Sequence, residues 1–397
     1  MLNTKKAVKV KLIAIAKDEC AYLANWIFHH LYCGFAEIEV ILNRTGDESF
    51  KLMKNICRFN EKVTFSFSDF VDLVPGSAHT KMQHIAYALS YQKAVSKPSN
   101  DITHLMFLDI DEFWISTNLD LKINEFIEKT SDEKGISFCW MNDIPNKERF
   151  VGLGCEIRGE KSNLVKSVIP ISSGLRAMRI HQPLLKKHQY ILADGSPFEE
   201  DLVIKEHSQR CVYTPAFIYH HCFRSSLEYV SSLYKGRPGY KNIPLKLNRS
   251  GLPMLGEQSL SVTFSAESFG KYQEAKNEFF QYGRILEITQ SGQHFVVERY
   301  FDTIASLKKM LPANHKKLLR VFANVDIKEV DCVFSTFHDE LIQGFNGRVE
   351  FIRDLAIKVE SYNISEAKRI MLKAQSLRPK GTIINAKIEE YSNALEK

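Results

Sequence analysis

Between Val8 and Ala16 the apolar positions pass from alternation with polar residues into a continuous run, the pattern of a strand entering a buried sheet. Leu23, Trp26, Ile27 and His30 then recur at helical spacing, and Gly34 supplies a stop. Ile38 to Leu42 is a second apolar run, closed by the polar loop Asn43-Arg44-Thr45-Gly46-Asp47. Strand, helix and strand in this order predict a parallel βαβ unit. The alternation continues with a strand at Val63 to Phe67, a helix from His79 to Val95 and a strand at Thr103 to Leu108 that carries Asp109 to its carboxyl end. Gly135 to Met141 and Leu164 to Pro170 read as further strands, and Cys211 to Tyr219 is rich in β-formers.

Beyond Glu257 the pattern turns helical, at Tyr272 to Leu286 and Val297 to Leu311. In the tail from Ile364 to Leu395, Ala367, Ala374 and Pro379 are spaced as in one tetratricopeptide unit. A lone repeat cannot bury its own face, so the tail reads as a helical pair packed on neighbours. The expected organisation is an α/β domain over residues 1–256 and a mostly helical domain over 257–397. A chain of 397 residues exceeds the size at which one core keeps growing, which favours two domains.

Composition changes this picture little. With 44% hydrophobic and 25% charged residues the chain reads as an ordinary globular protein. The formal charge of +6 is spread among nearly as many acidic residues, which argues against a nucleic-acid binder and suits a polyanionic ligand or an anionic membrane surface. No apolar run is long enough for a membrane span, so any membrane association is expected to be peripheral. Eight scattered cysteines without a C-x-x-C pair, and no secretory signal after the basic start, predict reduced core thiols in a cytoplasmic protein.

The chemistry concentrates in Leu108-Asp109-Ile110-Asp111-Glu112-Phe113. Two carboxylates one residue apart at a strand end can share a hard divalent cation, which in turn neutralises a diphosphate. Acidic triplets are common on surfaces, but this one lies between Leu105-Met106-Phe107-Leu108 and Phe113-Trp114, and open α/β sheets bind ligands beyond the carboxyl ends of their strands. A reaction that deprotonates a hydroxyl at such a site would also need a carboxylate base. Glu156 lies between apolar residues, where burial would raise its pKa; Asp143 is its rival, and Glu199, Glu200 and Asp201 are more distant candidates. Lys166, Lys187, Arg224 and Lys235 are candidate contacts for a diphosphate or an anionic acceptor, against the plain reading of solvated surface charges.

Lys17-Asp18-Glu19, the helix Tyr22-Leu23-Ala24-Asn25-Trp26-Ile27-Phe28-His29-His30 and the Asp109 motif together resemble the family-2-like and family-92-like glycosyltransferases of the GT-A fold. Lys166-Ser167-Val168, His181 and Tyr219-His220-His221-Cys222-Phe223-Arg224-Ser225 look like further elements of that pattern, and the similarity covers residues 8 to 240. Asn25 and His221 depart from it, standing where the family usually has Glu and Tyr. The resemblance implies a GT-A domain that binds a UDP-sugar, with Ala16, Lys17, Asp18 and Glu19 on one side of the nucleotide and Asn43 and Asp47 on the other. It also implies a role for Gln83 and Arg224 near the donor, Mn²⁺ or Mg²⁺ held by Asp109, Asp111 and His220, and transfer with inversion to a glycan or lipid-linked glycan in bacterial surface polysaccharide or lipopolysaccharide synthesis. On the residues alone, Lys17 and Glu19 are equally an exposed pair worth under about 1 kcal/mol, Gln83 a polar helix residue and His220 a core histidine.

Two other readings compete. Haloacid-dehalogenase-type phosphohydrolases also place D-x-D at a strand end, but on the first strand and with Thr or Val where Phe113 stands here. A non-catalytic glycan-binding protein could keep the fold without turnover.

Overall fold

The computed structural model describes residues 6–76, 78–96, 101–187, 189–235, 245–253 and 259–396. In chain order the elements are β1 (Val10–Ala16), α1 (Cys20–Tyr32), β2 (Glu37–Leu42), α2 (Ser49–Phe59), β3 (Val63–Phe67), α3 (Met82–Ser96), β4 (His104–Phe107), β5 (Glu112–Ser116), α4 (Ile123–Thr130), β6 (Gly135–Asp143), β7 (Glu156–Pro170), β8 (Leu175–Ala177), β9 (Leu184–Leu185), β10 (Tyr190–Leu192) and β11 (Ala216–His220). They are followed by α5 (Ser226–Leu233), β12 (Ser259–Thr263), α6 (Ala266–Gln281), α7 (Ile285–Val321), α8 (Lys328–Gly344), α9 (Val349–Glu360), α10 (Ile364–Leu377) and α11 (Thr382–Leu395). The two expected βαβ segments form, and α2, which the sequence reading did not include, makes β2-α2-β3 a third; Gly34 at φ 87° ends the turn after α1.

One mixed sheet runs β3-β2-β1-β4-β7-β6-β11-β5, with β10 added to β6 and β12 to β7. Its first four strands are parallel, and the order reverses between β1 and β4, so the ends of these two strands flank a topological switch point. β7 then runs antiparallel to both β4 and β6. The short step from Phe107 to Glu112 joins strands that have β7, β6 and β11 between them in the sheet order. Five residues reach at most about 18 Å, whereas four strand spacings on a flat sheet take roughly 19 Å. The sheet therefore curls, and the acidic turn bridges the inside of the curl.

β5 closes one edge, pairing only with β11. Its outward backbone groups are met by side chains of α1: Trp26 Nε1 donates to Glu112 O at 2.8 Å, His29 Nε2 to Trp114 O at 2.9 Å, and His30 Nε2 accepts from Trp114 N at 3.3 Å. An unpaired strand edge is a liability, and here a helix covers it with matched donors and acceptors. Trp26, His29, His30 and Trp114 are all fully buried.

The chain divides into two compact units, though not at 256/257 as expected. The first comprises Met1–Ile144, Glu148–Arg224 and Leu255–Val296; the second Pro145–Lys147, Ser225–Met254 and Val297–Lys397. β12 and α6 belong to the first unit because β12 pairs with β7, while Tyr272 of α6 packs its ring against Phe28 and donates its hydroxyl to His29 Nδ1 at 3.2 Å. The second unit is helical among its described residues. Ile352, Leu355, Ile370, Met371 and Ala374 form buried faces of α9 and α10, and Asn363 caps α10 by accepting from Glu366 N. No helix among the described residues is long and apolar enough to cross a membrane.

Candidate functional site

The carboxyl end of β4 delivers Asp109 and Asp111 as intended, and the two carboxylates are held differently. Asp109 Oδ1 accepts from Gln83 Nε2 of α3 at 2.9 Å, and Oδ2 lies 3.3 Å from Lys166 Nζ. Lys166 also lies 3.1 Å from Glu112 Oε2, and both Lys166 and Glu112 are fully buried. Burial opposes the Lys166 charge, but Asp109 and Glu112 outweigh it and raise its pKa. Burial pushes Glu112 up to about 7 against the pull of Lys166. Its Oε2 accepts from Asp109 N at 2.9 Å, while Oε1 is buried without a hydrogen-bond partner among the described residues, the oxygen on which a proton would sit. Lys166 is thus committed to the acidic turn from within the core, a correction to its reading as a diphosphate contact. Gln83 contacts Asp109.

Asp111 faces β11. Its Oδ2 is 3.7 Å from His220 Nε2, and its carbonyl accepts from His221 N at 2.7 Å. His220 Nδ1 meets Asn142 Oδ1 at 2.9 Å, and its ring lies 4.0 Å from that of Trp140. Burial lowers the His220 pKa, yet Cys222 and Asp111 outweigh it and hold it well above the ordinary range. His181, whose ring centroid lies 5.3 Å from that of Trp140, is lowered to about 3 by burial and by Lys166.

Asp143 is fully buried at the end of β6, and both its oxygens are engaged. Oδ1 accepts from Phe223 N at 2.9 Å, Oδ2 from Arg224 N at 2.8 Å, and His221 Nε2 lies 3.4 Å from Oδ2. It is the anchor of the turn after β11, which corrects its reading as a candidate base. That turn places Arg224 at φ 56°, a left-handed conformation costly for a side-chain-bearing residue. The Arg224 guanidinium stacks 3.4 Å from the Tyr22 ring and lies 3.9 Å from Glu19 Oε2.

Glu156 is also corrected. It lies exposed at the start of β7, hydrogen-bonded by Arg158 and Ser261, and these partners lower its pKa. Its apolar neighbours in sequence do not bury it, because alternate residues of a strand face opposite sides and Ile157 takes the inner one. Among the outlying candidates, Glu200 pairs with Arg179, Asp201 accepts from Val203 N and Ile204 N, and Lys187 is exposed. Lys235 belongs to the second unit.

The loops after β1 and β2 lock together. Asp18, at φ 54°, accepts from Gly46 N at 2.7 Å, and Asp47 accepts from Cys20 N at 2.8 Å, Thr45 Oγ1 and Ser49 N. Asp47 is consumed in this lock. Buried Ala16 ends β1 and its carbonyl accepts from Asn43 N at 2.9 Å; Lys17 and Glu19 are half-buried beside it. Asn43 is buried, and its Nδ2 has no partner among the described residues, leaving an amide donor beside the end of β1.

Among the described residues no three His, Cys, Asp or Glu side chains are assembled to hold a metal ion.

No family model and no curated protein matches the chain. Among solved structures it is similar to the crystal structure of S. aureus TarS, with TM-score 0.24 and 12% identity over 82% of this chain. The chain spans 50% of the length of that neighbour. A likeness of this size carries no argument about activity.

Proposed function

We propose that the chain is a GT-A-type glycosyltransferase that moves a sugar from a UDP-sugar to a hydroxyl of a glycan or lipid-linked glycan with inversion. The observation that carries the reading is the acidic turn Asp109–Glu112 at the switch-point end of β4, buttressed by Lys166 and facing His220. In this reading Asn43 Nδ2 donates to a carbonyl of the base, and the strained loops at Asp18 and Arg224 border the donor. Asp109, Asp111 and His220 are the residues that would hold Mn²⁺ or Mg²⁺, with Asp109 already fixed by Gln83 and Lys166. Such a cation would supply neutralisation of the charge that develops on the diphosphate during transfer. Gln83 and Lys166 fix the turn so that Asp111 needs no reorganisation at that moment. Neither Glu156 nor Asp143 is carried forward as the base. A peripheral place at the inner membrane face, in surface polysaccharide synthesis, belongs to the same reading.

Thermal-shift measurements with UDP and UDP-sugars test it. Mn²⁺ together with a UDP-sugar should raise the melting temperature, since a ligand that binds only the native state stabilises it. Slow Mn²⁺-dependent release of UDP should accompany this. Phosphate release from monoesters, with no response to nucleotides, would replace the reading by a phosphohydrolase.

A further inference from the structure

The described cysteines are all free thiols, and not all are core residues: Cys155, Cys211 and Cys332 are exposed. Cys211 has an unusual neighbour. β6 and β7 lose register between Cys139 and Trp140, where Cys139 pairs with Val165 and Trp140 with Ser162, so that Asn163 and Leu164 bulge out of the ladder. The segment before β11 repairs this gap. Leu164 bridges to His207, and Asn163 Nδ2 donates to Ser208 O at 3.0 Å. The Tyr213 hydroxyl accepts from Ser162 N at 2.9 Å and lies 3.1 Å from Trp140 O.

In the same repair the Cys139 sulfur accepts from Val212 N at 3.4 Å and donates to Arg210 O at 3.6 Å, so the backbone on either side of Cys211 is bound to it. The Cys139 sulfur is thus seated against the peptide groups that flank Cys211, while the Cys211 thiol donates to Asn163 Oδ1 at 2.7 Å in the same bulge. Cys139 is fully buried and Cys211 exposed. An accessible thiol beside a buried one is the arrangement in which the first meets an oxidant and the second resolves the product.

We propose that Cys139 and Cys211 form a peroxide-responsive dithiol, Cys211 attacking the oxidant and Cys139 closing a reversible disulfide. Cys139, with help from Tyr213 and Lys161, lowers Cys211 to about 6, while Cys211 and burial raise Cys139 and keep it protonated. The Cys211 thiolate attacks one peroxide oxygen, the O–O bond breaks, hydroxide leaves, and Cys211 becomes a sulfenic acid. The Cys139 sulfur then attacks the Cys211 sulfur, an S–S bond forms, and the sulfenic oxygen departs with the Cys139 proton as water. Two electrons pass from the thiols to peroxide. The bond ties the segment before β11 to β6 one residue from Trp140, whose ring lies against His220. The inference is independent of the proposed transferase activity.

The test treats the full-length protein with hydrogen peroxide, blocks remaining thiols with iodoacetamide under denaturing conditions, and maps non-reduced peptides by mass spectrometry. The expected result is one linked pair of peptides containing Cys139 and Cys211, two hydrogens lighter than their sum and separated by dithiothreitol. In Cys139→Ala, checked for folding by circular dichroism, Cys211 should stop as a sulfenic acid and take up dimedone several-fold more than in the wild type. If Cys139→Ala fails to fold, Cys211→Ser serves: it should leave Cys139 alkylatable after peroxide. Recovery of wild-type Cys211 as a free thiol or sulfinic acid with Cys139 still alkylatable, or linkage of Cys211 to another cysteine, overturns the proposal.

Discussion

Two pairs of adjacent histidines, His29-His30 and His220-His221, look alike in sequence and are used in opposite ways. The first pair serves a strand edge: both rings are fully buried and hydrogen-bonded to backbone of β5 or α1, and burial lowers both, His29 to about 4. The second pair serves carboxylates: His220 faces Asp111 and His221 faces Asp143. What decides the difference is the partner. A peptide group accepts from or donates to a ring without adding charge, whereas a carboxylate brings a full negative charge against it.

Four measurements break or sharpen this contrast. The largest effect is expected at Asp111→Ala, which removes the carboxylate opposite His220: Mn²⁺-dependent UDP release should fall by about 10²–10³, with the melting temperature nearly unchanged. A large loss of stability would instead class Asp111 with the structural residues. Next is His29→Leu, which strips a donor from Trp114 O and an acceptor from the Tyr272 hydroxyl. Denaturant unfolding should show a loss of about 2–3 kcal/mol, while turnover per folded molecule stays normal.

The third is a pH effect. The His29 pKa is lower in the folded chain than in an unfolded one, so its contribution to stability is present above pH 6.5 and is lost as pH falls through about 4. His29→Gln should flatten the stability profile in that window by up to about 1.4 kcal/mol per pH unit; an unchanged slope would mean that other groups govern acid unfolding. The smallest effect belongs to Glu156→Gln. Exposed and outside both histidine networks, it should change stability by no more than about 0.5 kcal/mol and leave UDP release unaltered.

The parallel half of the sheet was legible because each of its strands is buried, so that runs such as Leu12 to Ala16 and Ile38 to Leu42 carry an unbroken apolar signal. The acidic turn was legible for the same reason, being fenced by apolar residues on both sides. The first half of β7 and all of β12 were not, because Glu156 to Asn163 and Ser259 to Thr263 pair along a solvent-facing margin where polar residues dominate. The helix from Tyr22 to His30 was readable as a motif but not as an edge cover, since nothing local to it says that Glu112 and Trp114 need partners. The commitments of Lys166 and Asp143 were hidden likewise: each is fixed by groups 50 to 80 residues away, Asp109 at 57 and Phe223 at 80.

The acidic turn is a taut chord drawn across an arc. Chain length between Phe107 and Glu112 fixes how far apart the ends of that arc can stand, so the position of the two aspartates and the curvature of the sheet are one variable rather than two. A residue inserted at Ile110 would slacken the chord, let the arc open, and part Asp111 from His220 even though neither had been altered.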